Sequence, residues 1–100
     1  MAVVIITTDF PEGVGPDRYD AVNAEMGEEG NPPEGLIFHW AAEVDGKWTI
    51  TDVWESREDH DRFQHERLGP AIEKVAAAEG LEVGAHPTMT EAPVHNYIKP

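Results

Sequence analysis

A chain of 100 residues, 40% hydrophobic and 27% charged, makes one compact domain over residues 1–100 and is too short for two cores. Seven Lys and Arg against 20 Asp and Glu leave a net charge of −13, which excludes a phosphate-seeking surface and so excludes nucleic acid and anionic membranes as partners. The lack of cysteine removes disulfides, thiolate metal sites and thiol nucleophiles, and the apolar run Ala2–Ile6 is far short of a membrane span or signal-peptide core.

Ala2–Thr8 is a β-branched run that predicts a central strand buried on both faces, because such side chains lose rotamer freedom in a helix. Asp9–Gly15 is a loop by its Pro and Gly content. Pro16 suits the first turn of a helix with Gly15 as its N-cap, and Tyr19, Val22 and Met26 then share one face up to a stop at Gly27. Glu28–Gly35 is a polar connector without periodicity. Leu36–Val44 and Lys47–Glu55 read as two strands joined at Asp45-Gly46, the strongest two-residue hairpin signal. Ser56 caps the next helix, with Asp59 three residues on as a relative of the capping box. Gly69-Pro70 should break or kink that helix near Leu68, leaving a second piece over Pro70–Glu79 that stops at Gly80. After a loop rich in Gly, Pro and Thr, Val94–Ile98 reads as the last strand.

The order β-α-β-β-α-β predicts an α+β, ferredoxin-like fold: a four-stranded antiparallel sheet with both helices, the second one broken, on one face. The chain has nothing left to cover the other face. A second copy is expected to do so, making a homodimer.

A two-residue turn at Asp45-Gly46 fixes the hairpin register. Counting outward from Val44 and Lys47 pairs His39 with Asp52, Ile37 with Trp54, Ala41 with Ile50 and Glu43 with Trp48. His39 and Asp52 fall on a non-hydrogen-bonded pair, where side chains approach closest, with Cβ atoms about 4.5–5.5 Å apart. One face thus carries His39 and Asp52 among Ile37, Ala41, Ile50, Trp48 and Trp54. The other carries Leu36, Phe38, Trp40, Ala42 and Val53 with Thr49 and Thr51, an ordinary packing face. A carboxylate beside an imidazole fixes its tautomer and strengthens it as a base, which is how many enzymes prepare a proton acceptor. The same pair also serves, elsewhere, as a plain satisfied polar contact or part of a dimer interface.

The remaining candidates say less. His60 and His65 are five apart, about 140° round a helix, and share no face. Asp61 and His65 could share a ligand, but Glu58, Asp59 and Glu66 mark a solvated acidic surface, and no metal-ligand spacing occurs. His86 lies in a loop and His95 on the expected last strand. Tyr19, Val22 and Phe63 are either cavity lining or plain core, and Trp54 falls on the His39 side. Gly13-Val14-Gly15 lacks the rest of a dinucleotide fingerprint, and Ser56, the lone serine, is a helix cap. These residues call for no metal and no cofactor.

The run from Trp48 to Ser56 (W-T-I-T-D-V-W-E-S), the acidic helix with Phe63, and Arg67-Leu68-Gly69-Pro70 resemble the antibiotic-biosynthesis-monooxygenase-like superfamily of dimeric α+β-barrel proteins. Gly35-Leu-Ile-Phe-His39 and the V-W-E-S segment are most similar to its uncharacterised actinobacterial-type members. The likeness in element order covers nearly the whole chain. It implies a homodimer whose two sheets form a barrel, with a small-molecule cleft between sheet and helices in each protomer. It further implies cofactor-free oxygenation of phenolic polyketides, or haem binding and degradation. Monooxygenases of the group often carry a helix histidine about nine positions after the strand tryptophan, where this chain has Phe63. Haem degraders use an asparagine on the first strand and a helix histidine further along; Ala2–Thr8 has no Asn and Pro70–Glu79 no His.

The expected function is therefore small-molecule binding by a cytoplasmic homodimer, with a cleft lined by Tyr19, Val22, Ile37, Trp54 and Phe63. As an enzyme it would use His39 to take a proton from a phenol or another weak acid, with Asp52 orienting the imidazole. The alternatives are a non-catalytic dimeric module and a haem-binding member.

Overall fold

The structure is a computed structural model that describes residues 1–27, 30–80 and 86–100. In chain order it comprises β1 (Val3–Thr8), α1 (Pro16–Met26), β2 (Leu36–Val44), β3 (Lys47–Trp54), α2 (Arg57–Phe63), α3 (Gly69–Ala78) and β4 (Thr88–Pro93). The sheet order is β2-β3-β1-β4, and every neighbouring pair is antiparallel. Each helical connection thus skips one strand, as a ferredoxin-like βαββαβ fold requires. The expected connector Glu28–Gly35 and the loop after Gly80 fall partly on residues 28–29 and 81–85, outside the described residues.

Local chemistry places most boundaries. Gly15 is extended ahead of Pro16, and Gly27 closes α1 in the left-handed region, its N–H donating to the Asn23 carbonyl at 2.9 Å. Asp45 and Gly46 both have positive φ, 50° and 77°, the mirror-image turn whose twist suits a hairpin. Ser56 Oγ accepts the Asp59 backbone N–H at 3.1 Å and starts α2.

Gly35 is fixed for another reason. Its φ is +87°, and a Cβ there would lie 2.4 Å from the Asp59 side chain. Glycine lets the start of β2 lie directly against the first turn of α2. The Gly35 carbonyl then accepts the Glu55 N–H at 2.8 Å.

The core lies on the helix-covered face. Ile5, Trp54 and Phe63 form its centre, and Val3, Met26, Leu36 and Leu68 pack against them. Trp54 is wholly buried, with its ring 5.3 Å from that of Phe63.

Three sequence expectations need correction, and a fourth takes a form the sequence does not specify. The β2–β3 register holds from Val44 to Phe38 and then slips: Trp54 pairs with Leu36, and Ile37 is the extra residue of a β-bulge. The bulge turns Leu36 onto the core face, so Ile37 does not pair with Trp54, and Leu36 leaves the Phe38–Trp40 face. The interruption expected at Gly69-Pro70 is present, and it takes the form of a wider helical turn rather than a gap. Residues 64–68 form a π-helical turn, the Gly69 N–H reaches back to the Gln64 carbonyl, and α3 continues with Pro70 in its first turn. The wider turn accommodates a proline that would disrupt a regular helix, and a Cβ on Gly69 would stand only 3.0 Å from that carbonyl.

The last strand is Thr88–Pro93, not Val94–Ile98. It pairs with β1 from Thr8↔Thr88 to Val3↔Pro93 and is exposed throughout. With nothing to bury, this edge strand carries no apolar alternation, while Tyr97 and Ile98 lie exposed beyond the ladder. Finally, β1 is central but buried on one face within a single chain: Ile5 is 3% exposed and Ile6 37%. The outer face also exposes Phe38, Trp40 and Val44.

Candidate functional site

The two-residue turn delivers His39 opposite Asp52, and β1 adds Ile5 directly beside Asp52. The carboxylate Oδ1 accepts from His39 Nδ1. The remaining ring nitrogen, Nε2, is held by the Tyr19 hydroxyl from α1. Because Asp52 can only accept when ionised, Nδ1 carries the ring proton of the neutral imidazole and Nε2 is the acceptor, so Tyr19 Oη donates to it. The result is a continuous chain, Tyr19–His39–Asp52, across α1, β2 and β3.

The surroundings hold this chain in place without sealing it. The Tyr19 and His39 rings lie within 4° of parallel, at a centroid separation of 5.8 Å. Trp48 stands edge-on to Tyr19 at 5.5 Å and 72°. The His39 side chain keeps 24% of its area exposed and that of Asp52 17%. A polar group left unpaired at such a place would cost about 1–3 kcal/mol, so the three groups satisfy one another while remaining within reach of a ligand.

Of the other expected lining residues, Val22 is buried on α1 one turn beyond Tyr19, and Ile37 is half-buried in the bulge. Trp54 and Phe63 lie in the core around Ile5. The Nε1–H groups of Trp54 and Trp48 are buried without a hydrogen-bond partner among the described residues. His60 is 4% exposed and packs edge-on against Trp54 at 5.7 Å, while His65, His86 and His95 are exposed. Two open depressions of about 330 Å³, one at Asp61, Gln64 and His65 and one between Glu25 and Lys74, do not include the Tyr19–His39–Asp52 chain. No cluster of three or more metal-ligating side chains occurs among the described residues.

The hydrogen bond from Tyr19 is what sequence reasoning missed. Tyr19 shares a helix face with Val22, which aims it at the sheet, but the angle between helix and strands is a tertiary property that no spacing encodes. The hairpin register already places Trp48 on the same face, but its edge-on contact with Tyr19 depends on that same angle.

No family model matches the chain, and no curated protein matches it. Solved structures do. Rv0793 from Mycobacterium tuberculosis is 15% identical with a TM-score of 0.65, over 99% of this chain and 100% of that one. A variant of MhuD with two manganese protoporphyrin IX groups bound per active site is 21% identical with a TM-score of 0.63, over the whole of both chains. A protein from Chloroflexus aurantiacus, provisionally named an antibiotic biosynthesis monooxygenase, is 20% identical with a TM-score of 0.57, over 97% of each chain. The chain has the fold of the antibiotic biosynthesis monooxygenase-like proteins. At these identities the likeness is one of architecture. Within that fold, this chain places its Tyr19–His39–Asp52 chain between α1 and the sheet, and no helix among the described residues is long and apolar enough to cross a membrane.

Proposed function

We propose that the protein is a homodimer that binds a phenolic or polyketide-like small molecule between α1 and the sheet and acts on it by acid–base chemistry. The Tyr19–His39–Asp52 chain carries this reading. A proton lost by the substrate ends on His39 Nε2, and Asp52 stabilises the imidazolium so formed. Tyr19, Val22 and Ile37 would line the cleft, while Trp54 and Phe63 back it from within the core.

Deprotonating a methylene between aromatic rings creates an electron-rich carbanion. Dioxygen can oxidise that carbon directly: one oxygen atom becomes the new carbonyl, and the other leaves as water with the two hydrogens that the carbon gave up. Dioxygen is then the only co-reactant.

Haem, which occupies the neighbour described as a haem degrader from Mycobacterium tuberculosis, does not fit these residues. β1 carries no asparagine and α3 no histidine, the two residues that the resemblance ties to haem degradation, and Phe63, 7% exposed and packed on Trp54, offers no donor atom. His60, the imidazole nearest to Trp54, is itself 4% exposed.

The dimer is supported by the outer sheet face, where Phe38 is 60% exposed and Trp40, Ile6 and Val44 lie beside it. A Phe38→Glu, Trp40→Glu double variant is expected to sediment as a monomer while the parent sediments as a dimer.

Aerobic incubation with anthrone tests the chemistry. Oxygen uptake and formation of the ring ketone should fall about 10²-fold in His39→Ala and Asp52→Asn, both still folded and dimeric. Unchanged rates in both variants would remove His39 and Asp52 from the mechanism.

A further inference from the structure

Both ring nitrogens of His39 are engaged, which constrains how a proton reaches it. Nδ1 faces Asp52, and Nε2 is covered by the Tyr19 hydroxyl. A substrate approaching from the cleft cannot touch Nε2 unless Tyr19 moves aside, and the Tyr19 ring is braced by the perpendicular Trp48 ring. Tyr19 lies near the start of α1, whose far end is tied to the neighbouring helical layer: Arg67 donates to the Met26 carbonyl at 3.2 Å, and Lys74 on α3 pairs with Glu25 at 2.8 Å. On the acid–base reading above, the phenolic oxygen therefore stands between Nε2 and an incoming substrate.

We infer that Tyr19, and not His39, is the catalytic residue that meets the substrate: its Oη takes the substrate proton while its own proton passes to His39 Nε2. This rests on the acid–base reading above. One O–H or C–H bond of the substrate breaks, a new O–H bond forms at Tyr19, its original O–H bond breaks, and an N–H bond forms on His39. The substrate is left as an anion hydrogen-bonded to a neutral tyrosine, and the positive charge on His39 is balanced by Asp52. No tyrosinate accumulates. This matters because a phenol is ordinarily a far weaker acid than an imidazolium, so the two protons have to move together with the arrival of a donor.

His39 and Asp52 act through Tyr19, and the ligand class follows from the phenolic oxygen. It is a weak oxygen or carbon acid, such as a phenol or a methylene made acidic by neighbouring rings, able to hydrogen-bond a phenolic oxygen. A carboxylic acid, already ionised at neutral pH, brings no proton to pass on.

The test uses the full chain carrying Tyr97→Phe, which leaves Tyr19 as its single tyrosine, and 4-nitrophenol as the probe, because its anion absorbs visible light. At a pH below the ionisation of the free probe, the parent chain is expected to draw out the anion band. The further change Tyr19→Phe should cut the bound anion fraction about tenfold or more while equilibrium dialysis still detects the bound phenol. An undiminished anion band in Tyr19→Phe, with Nε2 uncovered, would overturn the relay and leave the acid–base reading standing. Failure of the parent chain to bind the phenol would overturn both. A second measurement does not depend on that variant folding. With 3-fluorotyrosine incorporated at the single tyrosine position, the fluorine-19 resonance should shift on saturation with 4-nitrophenol, and an unmoved resonance would likewise overturn the role of Tyr19.

Discussion

Trp54 and Asp52 stand two residues apart on the same face of β3, yet their surroundings are opposite. Trp54 is wholly buried against Phe63 and Ile5, in apolar packing that extends to Leu36 and Leu68. Asp52 faces an imidazole and a phenol, and 17% of its side chain remains exposed. The dry end holds sheet and helices together. The polar end is built from groups whose hydrogen bonds satisfy one another but whose burial contributes little. One face of one sheet thus separates apolar packing from a polar hydrogen-bonded chain by about 7 Å, the length of two residues in a strand.

Substitutions at the two ends should separate in the same way. Trp54→Ala removes the largest fully buried side chain and should cost about 3–5 kcal/mol, read as a large drop in the denaturant midpoint, with much of the chain unfolded at 37 °C. Gly35→Ala comes next. It forces a Cβ into the Asp59 side chain at a positive φ and should cost about 2 kcal/mol, with α2 loosened at its first turn in hydrogen exchange. His39→Ala should cost only about 1 kcal/mol while lowering turnover of anthrone about 10²-fold. A His39→Ala penalty as large as that of Trp54→Ala would erase the distinction between the two ends.

The smallest effect lies outside both regions. The Arg57 guanidinium, hydrogen-bonded to Asp61 at 2.9 Å, holds that carboxyl below its ordinary range. A depressed carboxyl stabilises the fold above its unfolded value, and that contribution is lost as the pH falls through the lower folded value. Asp61→Asn should therefore slightly flatten the acid limb of stability below about pH 4. Both side chains are more than half exposed, so about 0.5 M salt should remove the difference.

How much of this was legible in the sequence depends on whether the cause was local. Asp45-Gly46 dictates its own turn, and the turn dictates the pairing of His39 with Asp52, so two site residues follow from counting. Ser56, Gly15 and Gly27 mark helix ends through their own backbone chemistry. The bulge at Ile37 has no such signature. It arises where β2 must meet both Trp54 and the first turn of α2, and only the assembled fold imposes that requirement. The last strand was misplaced because β4 answers to the free edge of β1 rather than to any hydrophobic pattern of its own. Gly69-Pro70 signalled a disturbance correctly but not its form, since a wider helical turn resolves the proline without ending the helix. Tyr19 was read as lining, and its contact with His39 emerged only from the docking of α1.

The tight turn between β2 and β3 also bears on how the molecule assembles in time. Hairpins close in about 1–10 μs, well before distant segments find one another. The imidazole and its carboxylate, 13 residues apart, come together in that first local event, whereas the phenol, 20 residues upstream of the imidazole, joins only when its helix lands on the sheet. The imidazole–carboxylate pair can therefore form within the hairpin before the phenol reaches it.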